Sequence, residues 1–287
     1  MRDFDYFEPR DVNEAVSLLA RYGEAAKIIA GGTDLLIRMQ MGTSRPRYLI
    51  NLKTILGLDY IDCKDEIRIG VTTTLRAIAT SPELSKKCPQ IVQVANQFGN
   101  IAIANMATLG GNLCNASPAA DTAAPLIVLS ARVKIIGTDG SRIVPVEDFF
   151  IGPGSMVMKL DEILTEVQIP VPPAHAKWAY IKHGIRSVSD LAITSVAALV
   201  NIENGIFTDA RIALGAVAPT PIRVQRVEEA LKGKNANKEN IDKAVELVKQ
   251  ECCPISDVRA SVEYRTQMSY VLTKRALMSC LNTKAGG

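Results

Sequence analysis

The chain has 287 residues, more than a single hydrophobic core usually organises, so at least two domains are expected. Hydrophobic residues make up 47% and charged residues 22%, the balance of a globular protein rather than a disordered or collagen-like one. A net charge of +3, with no basic run interleaved with aromatics, argues against nucleic-acid binding, and no stretch approaches the ~20 apolar residues of a membrane span.

Met1 to Arg10 carries charges throughout and lacks the apolar segment of a signal peptide, which points to the cytoplasm. Asp11 is placed to cap a helix, with Glu14 three residues on, and Val12, Ala15, Val16, Leu18 and Leu19 supply its apolar stripe. Ala26 to Ala30 reads as a buried strand that stops at Gly31-Gly32, after which Thr33 is expected to cap a helix from Asp34 to Met41. Further strands are expected at Tyr48 to Leu52 and at Ile67 to Val71. Ser81-Pro82 starts a helix, and Pro89 to Phe98 has helical spacing and ends at Gly99.

From Gly99 to Pro125 the chain is rich in Ala, Asn, Gly and Ser without a sustained period, and reads as one long functional loop. Ala131 to Ile136 and Arg142 to Val144 flank Asp139-Gly140 as a hairpin. Phe149 to Gly154 is a turn-rich connector. Strands follow at Glu162 to Ile169, Leu191 to Ile202 and Phe207 to Ala216, the last two joined by Asn204-Gly205. Helices at Val227 to Leu231, Glu239 to Glu251 and Val262 to Leu281 close the chain, so strands precede helices in an α+β arrangement. A domain boundary is expected near Pro173, dividing residues 1–173 from 174–287.

Two segments carry chemistry. Lys27, Ile28, Ile29, Ala30, Gly31, Gly32, Thr33, Asp34 and Leu35 form a strand, a tight turn and a helix start, a geometry that gathers backbone N–H groups around a phosphate. Taken alone, this motif also reads as an ordinary strand-to-helix turn. The second segment runs from Thr108, Leu109, Gly110, Gly111 and Asn112 through Cys114 and Asn115 to Asp121, and is expected to offer backbone donors, side-chain amides and one carboxylate. Two phosphate cradles imply a dinucleotide. Cys114 reads as a packing thiol rather than a redox group. The 6 cysteines are scattered and form no CxxC pair, so any iron-sulfur cluster or zinc must sit on a partner. His175 and His183 lack a matched nucleophile or metal-ligand cluster.

AGGTDLL and TLGGNLCNASPAAD, together with FFIGPG, DEILTEVQIP, YIKHGIRSVSDLAI, LGAVAPTPIR and RASVEYR, resemble the signatures of the FAD subunit of molybdenum hydroxylases, the family of xanthine and carbon monoxide dehydrogenases. The resemblance covers nearly the whole chain. It implies a two-subdomain FAD-binding domain of the vanillyl-alcohol-oxidase-like type, followed by a smaller domain of antiparallel sheet and helices. It also implies that Phe98, Leu164 and Lys182 contact the flavin beside the two Gly-Gly segments. In such complexes a molybdenum cofactor on a large subunit hydroxylates substrate, and two 2Fe-2S clusters on a small subunit pass electrons to FAD, which delivers them onward, here to NAD. Ser189 stands where some NAD-reducing relatives carry a second acid. The later motifs look most like purine or heterocycle dehydrogenases, with carbon monoxide dehydrogenase as the alternative. A free-standing flavoenzyme and a binding module that has lost FAD are the rivals from other classes.

Overall fold

The computed structural model describes residues 3–186 and 190–282. Its first layer is a parallel three-stranded sheet. In chain order it comprises β1 (Asp5–Phe7), α1 (Val12–Tyr22), β2 (Ala26–Ile29), α2 (Leu35–Gln40) and β3 (Tyr48–Asn51), with β3 central. The expected cap forms: the Asp11 carboxylate accepts from the Glu14 amide, and the Glu14 carboxylate accepts from the Arg10 amide at 2.8 Å. Thr33 does not cap α2. Asp34 precedes that helix in helical conformation without a side-chain bond, and the Gly32 carbonyl accepts from the Leu36 amide at 3.0 Å. The left-handed backbone at Gly32 (φ 71°) has already turned the chain, leaving a threonine cap no geometric role.

The second layer is an antiparallel sheet of β4 (Ile61–Cys63), β5 (Ile67–Gly70), β6 (Arg132–Gly137), β7 (Gly140–Pro145) and β10 (Ile163–Ile169), in the order β4-β5-β10-β6-β7. A small pair, β8 (Phe150–Gly152) and β9 (Ser155–Met156), precedes β10. Between β5 and β6 lie α3 (Leu75–Thr80), α4 (Pro82–Lys87), α5 (Pro89–Asn96), α6 (Ile101–Met106), α7 (Leu109–Cys114) and α8 (Ala123–Val128). The stretch expected to be one loop is therefore largely three short helices. Six residues are under two turns, too few to write an apolar period, and the signals that remain are the caps: Asn100 accepts from Ile103 N–H and Thr108 from Gly111 N–H. The same shortness hid α3, which Thr74 caps.

The third part is the meander β11 (Lys177–His183), β12 (Thr194–Glu203), β13 (Ile206–Gly215) and β14 (Ile222–Arg223), followed by α9 (Gln225–Leu231), α10 (Lys238–Val245), α11 (Val248–Glu251) and α12 (Val262–Asn282). The helix expected from Glu239 to Glu251 is thus broken in two. Period-2 alternation explains how this sheet is covered on both faces. Val196, Ala198 and Val200 pack with Leu272, Ala276 and Leu277 of α12, whereas Ala197, Leu199 and Ala213 join the core of the first half.

Leu199 is 3% exposed on that shared face, so Leu199→Ala should cost about 2–5 kcal/mol through a cavity between the halves. Trp178, the single tryptophan, donates to Gln93 across the same junction. Urea unfolding followed by its fluorescence and by far-UV dichroism should give one coincident transition, shifted to lower urea in the variant; separate transitions would show that the halves unfold independently.

Candidate functional site

The ends of β2 and α7 face each other across a cleft of about 380 Å³. Of the expected residues, Lys27 to Leu35, Phe98, Thr108, Gly110, Gly111, Asn112 and Leu164 line it. Leu109 is fully buried and turns into the core. Asp121 and Lys182 lie outside the lining and pair with each other at 2.7 Å, across the junction of the two halves.

The two Gly-Gly pairs do different work. A Cβ on Gly31 would lie 2.1 Å from the Met106 carbonyl oxygen, and one on Gly110 would lie 2.6 Å from Val71 Cβ. These two glycines let neighbouring segments of protein touch. A Cβ on Gly111 would meet only Thr108 Oγ1, at 2.9 Å, and Gly111 is exposed at the cleft, so the bare face it offers is available to a ligand.

The backbone donors divide in the same way. The amides of Gly31, Gly32, Thr33 and Asp34 donate to no acceptor among the described residues. Those of Leu109 to Asn112 in the second segment are all engaged, which corrects the expectation of a second full row of free donors; of that cradle only the Thr108 amide donates to no acceptor among the described residues. Leu109 N–H reaches Thr73 O, Gly110 N–H reaches Val71 O, Asn112 N–H reaches Thr108 O, and Gly111 N–H reaches Thr108 Oγ1, each at 3.0 Å. This segment instead presents side chains. Asn112 Oδ1 accepts from the Thr122 hydroxyl at 2.6 Å and from its amide, which orients the Asn112 NH₂ group as a donor at the cleft.

Sequence reasoning missed Arg38, which lines the cleft from α2 and donates to the Asn115 side-chain carbonyl on the opposite wall. It pairs with no carboxylate among the described residues. No local motif marks it; only the approach of α2 to α7 gives it a place. Met156 and Met158, between the Phe149–Gly154 connector and the strand expected from Glu162, also line the cleft.

Asp121 is 9% exposed, and burial pushes its carboxyl up while Lys182 beside it pulls part of the way back. Its Oδ1 is buried with no hydrogen-bond partner. The Tyr180 hydroxyl lies next to Asp121 and Ser195 without a bond of good geometry, and burial holds the phenol well above its ordinary range. An orphaned buried acceptor of this kind fits a ligand hydroxyl.

A sequence family described as the FAD binding domain in molybdopterin dehydrogenase matches residues 2–172, and one described as the CO dehydrogenase flavoprotein C-terminal domain matches 179–280. The chain is an FAD-binding subunit of the molybdenum hydroxylase family. Over 291 residues it is 32% identical to the xanthine dehydrogenase FAD-binding subunit of Escherichia coli, covering 100% of this chain and 99% of the other. It is 34% identical to the carbon monoxide dehydrogenase medium chain of Afipia carboxidovorans, covering 96% and 95%. A solved carbon monoxide dehydrogenase from Hydrogenophaga pseudoflava, which lacks the Mo-pyranopterin moiety, superposes with a TM-score of 0.95 at 31% identity over 98% of each chain. The subunit is therefore part of an oxidoreductase with the expected α+β architecture, and FAD is its cofactor. Among the described residues no helix is long and apolar enough to cross a membrane.

Cys114 lines the cleft, but burial pushes its thiol up to about 12, so it is uncharged at neutral pH. Nucleophilicity belongs to the thiolate, and iodoacetamide at pH 8 should alkylate Cys114 roughly a thousandfold more slowly than an ordinary exposed cysteine. Peptide mass mapping against the exposed Cys253 reads the ratio. Equal labelling of the two would show a reactive thiol at the site.

Proposed function

We propose that this chain holds FAD in the cleft and works as the exit relay of a molybdenum hydroxylase. The observation that carries the reading is the run of four unengaged amides from Gly31 to Asp34, facing a wall where Gly111 offers a bare backbone and Asn112 a free amide. Such donors suit a diphosphate, which brings charge without needing a cationic partner at every oxygen. The proposed contact set is Lys27 to Leu35, Phe98, Thr108 to Asn112, Asp121, Leu164 and Lys182. Within it Leu109 acts through its position, since its side chain belongs to the core.

Bound FAD would accept and release the electrons. The rest falls to the protein: Phe98 and Leu164 supply apolar walls, Asp121 Oδ1 is poised to accept a hydroxyl, and the Lys182 ammonium favours added negative charge nearby. No nucleophile or acid-base pair is required of a relay. Electrons would arrive from 2Fe-2S clusters on a small subunit, after hydroxylation at a molybdopterin site on a large subunit. Residues 1–173 would form the FAD domain and 174–287 the smaller one, in a cytoplasmic complex suited to six unpaired thiols.

Xanthine or a related purine is the proposed substrate of the complex, supported by a full-length match to a xanthine dehydrogenase subunit. Carbon monoxide is the second reading, favoured by 34% identity to a carbon monoxide dehydrogenase medium chain. NAD is the proposed acceptor, on the mixed charge of Lys182, Arg186 and Asp190. The Arg186 amide donates to Asp190 at 2.6 Å, which fixes that carboxylate near the loop; Ser189 lies outside the described residues.

Gly111→Val should weaken FAD more than roughly tenfold, because most of its side chain enters the ligand's space, with a smaller loss of stability as the Thr108 cap of α7, 2.9 Å from the added Cβ, gives way. Gly110→Val should instead lose stability through its clash with Val71. Flavin content and dichroism together check both; full flavin occupancy in folded Gly111→Val would remove that wall from the site.

Purified alone and loaded with FAD, the chain should be reduced by dithionite and reoxidised by NAD, yet leave xanthine untouched. Xanthine turnover by a metal-free preparation would overturn the relay reading. Reoxidation by quinones or oxygen but not NAD would replace the acceptor.

A further inference from the structure

Asp121 and Lys182 come from opposite halves of the chain, so something must set where they meet. Lys182 sits opposite Ser195 in the β11–β12 ladder, and Ser195 sits opposite Gly215 in the next. A Cβ on Gly215 would lie 2.5 Å from Ser195 Oγ, so these strands are already in close contact. Beside Lys182, the His183 carbonyl accepts from the Ile193 amide at 2.8 Å. On the other side, the Ala216 amide donates at 2.7 Å to the Pro118 carbonyl, three residues before Asp121. Ala216 makes that bond from a left-handed conformation (φ 65°), which is costly for a residue with a Cβ and persists only where its surroundings hold it.

The remaining polar groups of those two anchors converge. The carbonyls of Ile193 and Ala216 both accept from Nη1 of Arg265, at 2.5 and 3.1 Å, while Nη2 of Arg265 donates to Asp257 at 2.8 Å. Arg265 is 2% exposed and projects from the first turn of α12, far in sequence from both cradles. Two buried carbonyl dipoles aimed into one space repel unless a donor lies between them. A guanidinium cannot shed its proton, and its rigid fork fixes the directions of its bonds as an ammonium cannot. Asp257 balances the buried charge and is itself gripped by Arg259, which holds its carboxyl far below the ordinary carboxylate range.

We propose that Arg265 is a positioning residue for the flavin site: it fixes Ile193 and Ala216, and through them the alignment of Lys182 with Asp121. The inference rests on the reading that this pair touches FAD. Arg265 itself touches neither the cleft nor the pair, so a contact map of the site would omit it.

A double-mutant cycle on the flavin midpoint potential separates positioning from general support. The full chain loaded with FAD would be titrated spectroelectrochemically as wild type, Arg265→Lys, Lys182→Met and the double variant. Lys182→Met should lower the potential. Arg265→Lys should lower it as well, and should produce no further shift when Lys182 is already absent. An unchanged potential in Arg265→Lys, or an equal shift in both backgrounds, would overturn the proposal. So would loss of FAD from Arg265→Lys while Lys182→Met retains it. No shift in Lys182→Met would instead refute the placement of Lys182 at the flavin, and the inference with it. If Arg265→Lys does not fold, Asp257→Asn replaces it in the cycle, with a smaller shift of the same sign expected and the same dependence on Lys182.

Discussion

The site depends on how closely two backbones can approach. Gly31 lies against the Met106 carbonyl so tightly that a methyl group would stand 2.1 Å from the oxygen, and this contact brings the end of β2 to the start of α7. Gly110 repeats the arrangement against Val71, where its amide also bonds to the Val71 carbonyl. Once those contacts are made, the amides of Leu109 to Asn112 are spent on protein acceptors, and the first segment still has its own to offer. The asymmetry follows from secondary structure. α7 is capped by Thr108 and laid against β10 and Val71, whereas the turn before α2 is open and its helix lacks a side-chain cap. A ligand that supplies acceptors completes the first and lies against the second.

The second constraint is the C-terminal sheet, which is buried on both faces. One set of β12 side chains packs on α12 and the alternate set on the first half, so the sheet links α12 to the cofactor domain. That construction places Lys182 next to Asp121 without any sequence proximity. It also lets α12 act at a distance, because its first turn reaches the carbonyls that bound the pair.

What was legible in the sequence was whatever repeats or turns locally. The alternation in Ile67 to Val71, the Asn204-Gly205 hairpin, the apolar stripe and Asp11 cap of α1 and the Gly31-Gly32 turn all fall within a residue or two of their observed places, whereas Gly110-Gly111, read as a second turn, lies inside α7. Among the six-residue helices, α2 and α4 were announced by Gly31-Gly32 and Ser81-Pro82, but α3, α6 and α7 were not legible, being too short to display a period and declaring themselves only by Thr74, Asn100 and Thr108. The state of the amides was not legible either. Whether Gly110 N–H is free depends on Val71, which is distant in the chain, and no pattern near Gly110 records it. Arg38 was missed for the same reason: its meaning comes from Asn115 on another helix.

The chemistry near the cleft is consistent with a protein that carries electrons without transforming a substrate. Cys114 is held as a neutral thiol and Tyr180 as a neutral phenol, both by burial, so neither acts as a base or nucleophile at neutral pH. Asp121 is the acidic group best placed for a role, and it faces Lys182 rather than open solvent. A buried ion pair of this sort is a poor source of stability, because desolvation consumes much of the Coulombic gain. Its use lies in placement. A cation held 2.7 Å from a buried carboxylate gives a fixed local field at the junction of the two halves, and on the placement proposed for the pair beside the flavin that field would let geometry rather than solvent set the potential. The buried Arg265 behind the pair is then explained as the means by which two strands and a loop hold that field still.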